Sequence, residues 1–511
     1  MSALTFDKSE LGNLEYSLQR EMLSTDRIGG YMSTTIVCCN TRRYHGLMVA
    51  PIDDSGRTYV LLSSLDETVV QHDQTFNLAL HRFKGVYEPR GHKYITDFEY
   101  TPTPTIIYRV GGVILKKEML WIHKRTQLMI RYTLVDAHSE TRLRLRPFLA
   151  FRDKHALTHA NMEADGHSYP AVNGVKCRLY NSFPWLYLQT SKPGTEFVPA
   201  PDWYYGFEYQ QELARGYEGY EDLLTTGYFE AELKKGESII FSAGLSEANP
   251  RNLHKLYENE IASRTARTSF FNCLKNSAKQ LYLKKGDHEY MLSGYPWGTI
   301  LARNTFMSLP GNTIAIDHRA DFEEIMETAI LALNRFMTDG HVSRTIHGIN
   351  LPDIPVWAIW TIQQYAKNYG IDQAADRYLQ FVADMIDFVL AGRHPRTAHS
   401  QRTAHPLAEK LRLPSVLPRL AIRPRTGHAQ RPGSPVAHGL LCRRLSQGVR
   451  PQRRKLYRPH AHRLRGRDEP GMHRLAQPAL RRQPAVCRTR SHLSRHQHCR
   501  SAPDHPHTPT F

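Results

Sequence analysis

Residues 294–311, with the sequence GYPWGTILARNTFMSLPG, combine side chains that suit the binding of a sugar. Trp297 offers a flat apolar ring on which the CH face of a sugar can stack. Arg303 supplies a planar fork of donors that fits hydroxyl and carboxylate oxygens alike. Pro296 restricts the backbone of the turn that precedes them. This pattern predicts a carbohydrate subsite, and the alternative is a loop with a buried Trp and a surface Arg.

A second candidate segment lies near the amino terminus, where residues 40–46 read NTRRYHG. Residues 34–38 and 47–50 are short β-branched or apolar runs that predict strands on either side of it. The segment is therefore a polar and aromatic loop between two strands. A double Arg on such a loop is either a solvated pair or a contact surface. The candidate contacts are Arg42, Arg43, Tyr44 and His45.

Both segments resemble bacterial glycogen-debranching enzymes of the amylo-α-1,6-glucosidase type. That family carries a GYPWF…GRDTFIALPG-type element at one end of an (α/α)6 toroid. Its amino-terminal domain contains an NTRRYHGLLVA-type segment. Residues 145–155 (LRPFLAFRDKH) and 203–227 resemble the family as well. The resemblance implies an α-glucan or glycogen substrate and a loop 42–45 that leans over the glucosidase pocket. Asn304 departs from the family's Asp, and an amide is a weaker acceptor of sugar hydroxyls.

A third segment, residues 348–365 (GINLPDIPVWAIWTIQQY), contains two further candidates, Asp353 and Trp357. Pro352 and Pro355 are typical of a helix start. An Asp at this position caps the helix in many proteins, which is the simpler interpretation. The resemblance instead implies that Asp353 and Trp357 line the rim or floor of the glucose pocket.

The elements that would position these residues fall into two classes. From residue 58 to 245 the chain has many short, alternating runs, which predict a large antiparallel β-sandwich over residues 1–246. Residues 127–134 carry apolar side chains on both faces and predict a strand that is covered on each side. From residue 249 the period becomes helical, as in residues 253–261, 270–281, 321–336, 354–369 and 373–390. The resemblance implies that residues 247–395 are a partial (α/α)6 glucosidase domain, whose last helix would present a bare apolar stripe.

The composition changes after about residue 393. Residues 394–511 hold 23 Arg and 2 Lys against 4 acids, a net charge of +21, which leaves −3 for residues 1–393. Such a segment buries too little apolar surface to offset its conformational entropy. We therefore predict disorder over residues 396–511. A basic tail that binds RNA non-specifically, a linker and an out-of-frame translation all fit this composition, and we favour the last.

Hydrolysis of a glycosidic bond with inversion needs two carboxyl groups about 6.5–9.5 Å apart. The resemblance implies an acid in a Thr-Trp-Met-Asp-like element and a base near the carboxyl end, and neither element occurs in residues 396–511. Asp317, Glu323 and Asp353 form no convincing pair. We therefore nominate no catalytic residue, and the sequence indicates no cofactor and no metal site.

The remaining features exclude other classes. The sequence has no secretory signal, no apolar run long enough to span a membrane, and seven cysteines without metal-binding spacing, which together predict a cytoplasmic protein. We expect a glycogen-debranching protein of the amylo-α-1,6-glucosidase type that is inactive because its acid and base are missing. The alternatives are a non-catalytic glucan-binding protein and an RNA-binding protein that acts through its Arg-rich segment.

Overall fold

The computed structural model describes residues 4–53, 56–72 and 74–392, which belong to one compact unit. The predictions made for residues 396–511 lie outside the described residues. The strands are β1 (Thr5–Asp7), β2 (Glu21–Thr25), β3 (Tyr31–Thr35), β4 (Gly46–Pro51), β5 (Thr58–Gln71), β6 (Gln74–Asn77), β7 (Leu80–Phe83), β8 (Val86–Arg90), β9 (Ile95–Tyr100), β10 (Pro104–Val110), β11 (Val113–Trp121), β12 (Gln127–Asp136), β13 (Thr141–Asp153), β14 (Tyr169–Ala171), β15 (Gly174–Cys177), β16 (Leu186–Thr190), β17 (Glu196–Glu208), β18 (Tyr220–Leu233), β19 (Ser238–Gly244), β20 (Tyr282–Lys285) and β21 (His288–Met291).

Nineteen of these strands form two large antiparallel sheets. The first sheet has the order β1-β9-β10-β11-β12-β19-β16-β15-β14. The second has the order β2-β3-β4-β5-β13-β18-β17-β7-β8, with β6 paired to β5. Their facing side chains share one hydrophobic core, in which Met48 and Leu61 of the second sheet join Ile106 and Leu128 of the first. The predicted antiparallel β-sandwich is therefore confirmed.

The strand over residues 127–134 is covered on both faces, as predicted. Leu128 and Ile130 belong to the main core between the sheets. Met129 points to the other face and packs in a smaller cluster with Leu253 and Tyr257. These two residues belong to the first long helix after the sandwich, so that helix covers the outer face of the first sheet. The predicted strand over residues 34–38 is shifted, because β3 ends at Thr35 and residues 36–40 turn into the loop that follows.

The helices are α1 (Lys8–Gly12), α2 (Leu14–Leu18), α3 (Gln210–Ala214), α4 (Leu253–Ser263), α5 (Phe270–Lys279), α6 (Ala302–Asn312), α7 (Arg319–Asp339), α8 (Ile354–Tyr369) and α9 (Ile371–Leu390). The hairpin of β20 and β21 precedes α6. The four helices α6–α9 and this hairpin share a second core, to which Phe306, Phe322, Ala358 and Met385 contribute. The predicted helical region is thus confirmed, whereas the toroid and the boundary at residue 246 stay predictions. None of the described helices combines the length and the apolar character that a membrane span requires.

The expectation of a bare apolar face on the last helix is wrong. The main apolar face of α9 is buried, because Tyr378 packs against Tyr365 of α8 and Phe388 packs against Phe336 of α7. The bare stripe expected there is confined to the last turn, where Leu390 is 63% exposed. The apolar residues of α5 are the ones that face solvent, and Phe270 is 77% exposed.

Candidate functional site

The turn that carries Trp297 connects β21 to α6 and is anchored by Tyr295. The Tyr295 ring packs edge-on against Tyr31 of β3, with ring centroids 5.3 Å apart. Burial raises the pKa of Tyr295, so its hydroxyl stays protonated. The Tyr31 hydroxyl donates to the backbone carbonyl of Tyr44 at 3.0 Å. Tyr31 therefore joins the turn to the loop of residues 40–46.

Trp297 is 50% exposed, and residues of the β-sandwich surround its ring. The Tyr44 ring meets it edge-on at a centroid distance of 5.7 Å. The guanidinium carbons of Arg42 and Arg215 lie 5.5 Å and 6.0 Å from its ring centroid. Guanidinium groups at such distances are attracted to the negative face of an indole ring. Trp297 is thus held in place while half of it remains open to solvent.

His45 and Arg42 share the carboxylate of Glu21, at the start of β2. The Arg42 Nε donates to Glu21 at 2.7 Å, and the His45 Nε2 lies 3.5 Å from the other carboxylate oxygen. Burial tends to raise the pKa of Glu21, but the hydrogen bond and charge of His45 and the contact with Arg42 outweigh it and lower the pKa to about 2. The His45 Nδ1 accepts the backbone N–H of Thr41 at 3.1 Å. Fully buried, His45 shapes the loop and does not reach solvent.

Arg43 does not contact Trp297 and is bonded to α3 and to the loops beside it. Its Nε donates to Glu212 at 3.1 Å, and its Nη1 and Nη2 donate to the carbonyls of His155 and Glu218 at 2.9 Å and 3.3 Å. The side chain is only 14% exposed. Of the four loop residues predicted to be contacts, Arg42 and Tyr44 therefore lie at Trp297, whereas Arg43 and His45 hold the loop from within.

A buried ion pair, which the sequence analysis missed, supports the same loop. Arg152 of β13 and Glu221 of β18 form two hydrogen bonds, one of them between Nη2 and Oε2 at 3.0 Å. The Arg152 Nη2 also donates to the carbonyl of Arg43 at 2.7 Å. Arg152 lies in residues 145–155 and Glu221 in residues 203–227. The resemblance of these two segments to the debranching enzymes was the one signal in the sequence that could have drawn attention to the pair.

Lys154 gives the turn a further contact from the sandwich. Its ammonium group donates to the carbonyl of Pro296 at 2.9 Å. Burial lowers the pKa of Lys154, against the opposing charge of Asp153. Next to it, His155 meets the Tyr44 ring edge-on at 5.4 Å, and its Nδ1 lies 3.3 Å from the Tyr44 hydroxyl. The turn before α6 is therefore bonded directly to the end of β13.

A second cluster joins the amino-terminal ends of α6 and α8. Arg303 donates to Asp353 through Nε at 2.6 Å and through Nη2 at 2.9 Å. The indole N–H of Trp357 donates to the same carboxylate at 3.1 Å. Asp353 occupies the cap position of α8, but its side chain makes no capping hydrogen bond. The simpler interpretation of Asp353 as a helix cap is therefore wrong, because its carboxylate is used by Arg303 and Trp357.

The contacts in this cluster keep the Asp353 carboxylate ionised. The hydrogen bond from Arg303 is the largest effect on Asp353 and, with the Arg303 charge and the Trp357 N–H, lowers its pKa against the effect of burial. Asp353 is therefore ionised at neutral pH and serves as an acceptor, not as a proton donor. Trp360 meets the Trp357 ring edge-on at 5.7 Å and extends the aromatic surface.

Asn304 follows Arg303 in the first turn of α6 and is exposed. Its backbone carbonyl accepts a hydrogen bond from the Ser308 hydroxyl at 2.6 Å. The amide adds no charge next to the Arg303–Asp353 pair. It can donate to one sugar hydroxyl and accept from another.

The carboxyl groups of the two clusters, Glu21 and Asp353, have lowered pKa values and thus lack the raised pKa that a general acid needs. Among the described residues, the pKa is raised to about 7 at Asp26 and Glu289. Asp26 is fully buried, so it cannot touch a substrate. Glu289 owes its pKa to burial, to a hydrogen bond with Glu324 and to the charges of Asp321 and Glu324. In the described part of the chain, no cluster of three or more His, Cys, Asp or Glu side chains could hold a metal ion.

Comparison with known proteins finds a family model that matches part of this chain. Residues 20–240 match the family described as glycogen debranching enzyme N terminal. A bacterial glucoamylase complexed with acarbose is similar in structure over 71% of this chain and 58% of its own length, at 11% identity and a TM-score of 0.37. A polysaccharide lyase is similar over 72% of this chain and 68% of its own, at 11% identity and a TM-score of 0.18. A comparison with curated proteins finds no match. Over residues 20–240, the β-sandwich of this chain is therefore similar to the amino-terminal domain of glycogen debranching enzymes.

Proposed function

We propose that this chain is a glycogen-debranching protein of the amylo-α-1,6-glucosidase type whose described part binds α-glucan. The observation that carries the proposal is Trp297, half exposed and held between Tyr44 and Arg42 of the loop before β4. A fixed aromatic ring with an open face is a platform for the apolar face of a glucose unit. The family match of residues 20–240 supports the same class of substrate.

The Arg303–Asp353–Trp357 cluster would supply the polar part of the recognition. An ionised carboxylate is an acceptor only, and its hydrogen bonds with neutral donors are stronger than those of an amide. Arg303 and Trp357 already hold the Asp353 carboxylate in one orientation. In our proposal a glucose hydroxyl donates to this carboxylate, and Asn304 and the free N–H groups of Arg303 contact neighbouring hydroxyls.

We further propose that the chain binds glucan without hydrolysing it. Inverting hydrolysis needs one protonated and one ionised carboxyl group on opposite sides of the glycosidic bond. At the candidate site, Asp353 is ionised and Glu21 has a pKa of about 2, so neither is a proton donor at neutral pH. Asp26, with its pKa of about 7, is fully buried. The proposal therefore separates the binding of glucan from the chemistry.

The experiment uses the purified 511-residue chain and a glycogen limit dextrin. Retention in a native gel that contains the dextrin measures binding, and the release of free glucose measures hydrolysis. Salt at about 0.5 M screens the charge of the Arg-rich segment, since exposed charges farther apart than a few ångströms hardly interact at that ionic strength. We expect retention without glucose. Release of glucose would refute the inactivity alone, whereas a chain that is neither retained nor active would refute the proposed function.

The out-of-frame origin of residues 394–511 remains our hypothesis, supported by their 23 Arg against 4 acids. Resequencing the DNA that encodes residues 392–399 tests it. A corrected frame should encode a Thr-Trp-Met-Asp-like element further on. If the DNA sequence is unchanged and neither of its other two reading frames encodes such an element, the hypothesis is refuted and the Arg-rich segment is a genuine part of the protein.

Because glycogen is an intracellular store, the proposed function also implies a cytoplasmic location.

A further inference from the structure

A cavity of about 250 Å³ lies between the β-sandwich and helices α4 and α5. Its walls come from the end of β2, the turn after β9, the turn between β11 and β12, and the two helices with their connection. None of the residues predicted to bind glucan lines it. The lining residues are Ser24, Thr25, Arg27, Tyr100, Pro102, His123, Lys124, Ser263, Arg264, Thr265, Arg267, Asn276, Lys279 and Gln280. The lining thus includes five Arg or Lys side chains and no carboxylate.

Four of these five cations form no ion pair in the described part of the chain: Arg27, Lys124, Arg267 and Lys279. Arg264 is paired with Glu260 at 3.0 Å, and His123 meets the same carboxylate at 2.9 Å. Arg267 donates to the carbonyl of Pro102 at 3.1 Å, and its guanidinium lies 3.7 Å from the centroid of the Tyr100 ring. Among the described residues, Glu260 is thus the carboxylate that pairs with side chains of the lining, and the lining keeps an excess of positive charge.

The cavity also exposes hydrogen-bonding groups that are left without partners. Ser24 is 2% exposed and Thr25 is 3% exposed, and the hydroxyl of each has no hydrogen-bond partner among the described residues. The same holds for the buried Nε of Arg27. Buried polar groups are nearly always satisfied, so an unsatisfied set on one cavity wall indicates a place for polar atoms that do not belong to the protein.

The charges around the cavity repel one another. Burial lowers the pKa of Arg27, and the charge of Arg264 lowers it further, against Asp321, Tyr282 and Glu260. Burial also lowers the pKa of Lys279, together with the charges of Arg27 and Lys275 and against that of Asp321. An anion between these side chains would relieve the repulsion, because an opposite charge stabilises the protonated forms.

We propose that this cavity binds the phosphate group of a small phosphorylated metabolite, of the size of a hexose phosphate. Arg and Lys side chains are the common partners of phosphate oxygens, and Ser and Thr hydroxyls complete such sites. At ~30 Å³ for each water, the volume holds about eight waters, which is more than a bare phosphate displaces. Asn276 and Gln280 on the helix wall would contact the hydroxyls of the organic part. The proposal is independent of glucan binding at Trp297.

The test measures thermal unfolding of the full chain by tryptophan fluorescence, with glucose 6-phosphate, inorganic phosphate or glucose added. All six Trp residues lie within residues 121–360, so the signal reports the described part of the chain. A ligand that binds the folded state raises Tm with its concentration. Glucose has no phosphate group, so the change in Tm that it causes measures sugar binding at the Trp297 surface and is subtracted. We expect a clear rise in Tm with glucose 6-phosphate, a smaller one with inorganic phosphate and a loss of both effects at high salt.

Two variants assign the effect to the cavity. Lys124→Gln and Lys279→Gln each remove one unpaired charge and should weaken apparent affinity by about tenfold, since a hydrogen bond to a charged group is worth roughly that factor. Lys255→Gln, on the exposed side of α4, is the matched control and should behave like the unmodified chain. The Arg-rich segment contributes equally in all of them. No rise in Tm, or equal rises in the variants and the control, would overturn the site, and equal effects of phosphate and glucose 6-phosphate would overturn its assignment to a metabolite.

Discussion

The guanidinium group of Arg303 and the carboxylate of Asp353 form a two-point contact, with N–O distances of 2.6 Å and 2.9 Å, between the first turns of α6 and α8. The pair is half open to water, with the Arg303 side chain 48% exposed and that of Asp353 34% exposed. Exposed ion pairs contribute only about 0–1 kcal/mol to stability. The contact therefore adds little to the stability of the fold, and this agrees with the role in glucan binding that we propose for it.

We expect Asp353→Asn to weaken the binding of maltooligosaccharides and to leave Tm within about 2 °C of the unmodified chain. The substitution keeps the shape of the side chain but removes the charge, so the variant loses a charge-assisted hydrogen bond, a change of roughly tenfold in Kd. Isothermal calorimetry at high salt measures the affinity. Asp376→Asn, an exposed change on α9, is the control. A variant that binds normally, or one that binds weakly only because it is unfolded, would contradict this role.

We expect Trp297→Ala to weaken glucan binding by about tenfold and Trp297→Phe to restore part of it, because a smaller ring keeps some of the stacking surface. Retention in the dextrin gel measures both variants. The matched control is Trp185→Ala, since Trp185 is also a surface Trp beside an Arg, 4.5 Å from the guanidinium of Arg178. If the two Ala variants lost retention equally, the Trp297 surface would not be the binding site.

We expect Arg152→Met to destabilise the chain by about 3–5 kcal/mol, because it leaves the charge of Glu221 buried without its partner. The double variant Arg152→Met with Glu221→Gln should recover a large part of that loss, since the uncompensated charge is gone. Unfolding in urea, followed by tryptophan fluorescence, gives both free energies. Equal losses in the single and double variants would mean that the ion pair is not what holds the loop of residues 40–46.

The sequence predicts the classes of element well and their partners poorly. Alternating side chains over residues 127–134 predict a strand covered on both faces, and β12 has this environment because α4 lies behind it. That β12 pairs with β19, about a hundred residues later, does not follow from the pattern of either strand. The apolar residues of α5 are exposed, and helical spacing alone does not say whether a partner covers such a face.

In the candidate site, too, the sequence predicts local features but not the contacts between distant residues. The aromatic turn at Trp297 and the Asp353–Trp357 pair at the start of α8 can be recognised as local sequence motifs. Arg43 and His45 look equally exposed in the sequence, but His45 is buried and Arg43 is bonded to α3 and the loops beside it. Arg43 pairs with Glu212, 169 residues later, and no local pattern points to such a partner. The supporting ion pair of Arg152 and Glu221 is hidden for the same reason.

We expect the free energy of unfolding to fall between about pH 5 and pH 8 because of Asp26. Its Oδ1 accepts the N–H groups of Ile28 and Gly30, both at 2.8 Å, whereas its buried Oδ2 has no partner among the described residues. Burial raises the pKa from 3.8 to about 7, against these hydrogen bonds. The folded state therefore holds a proton that the unfolded state has released. The stabilisation is complete below about pH 4 and is lost as the pH rises through 7, which amounts to a few kcal/mol.

Asp26→Asn isolates this effect, since an amide keeps the acceptor for Ile28 and Gly30 and does not titrate. The unmodified chain should lose stability relative to the variant from pH 5 to pH 8, measured by urea unfolding at each pH. Glu289, with a pKa also raised to about 7, is present in both chains and cancels in the difference. Glu21 and Glu260, with pKa values lowered to about 2, lose their stabilising effect only in acid below this range. Parallel pH profiles of the two chains would mean that Asp26 is ionised in the folded state throughout, with a partner for Oδ2.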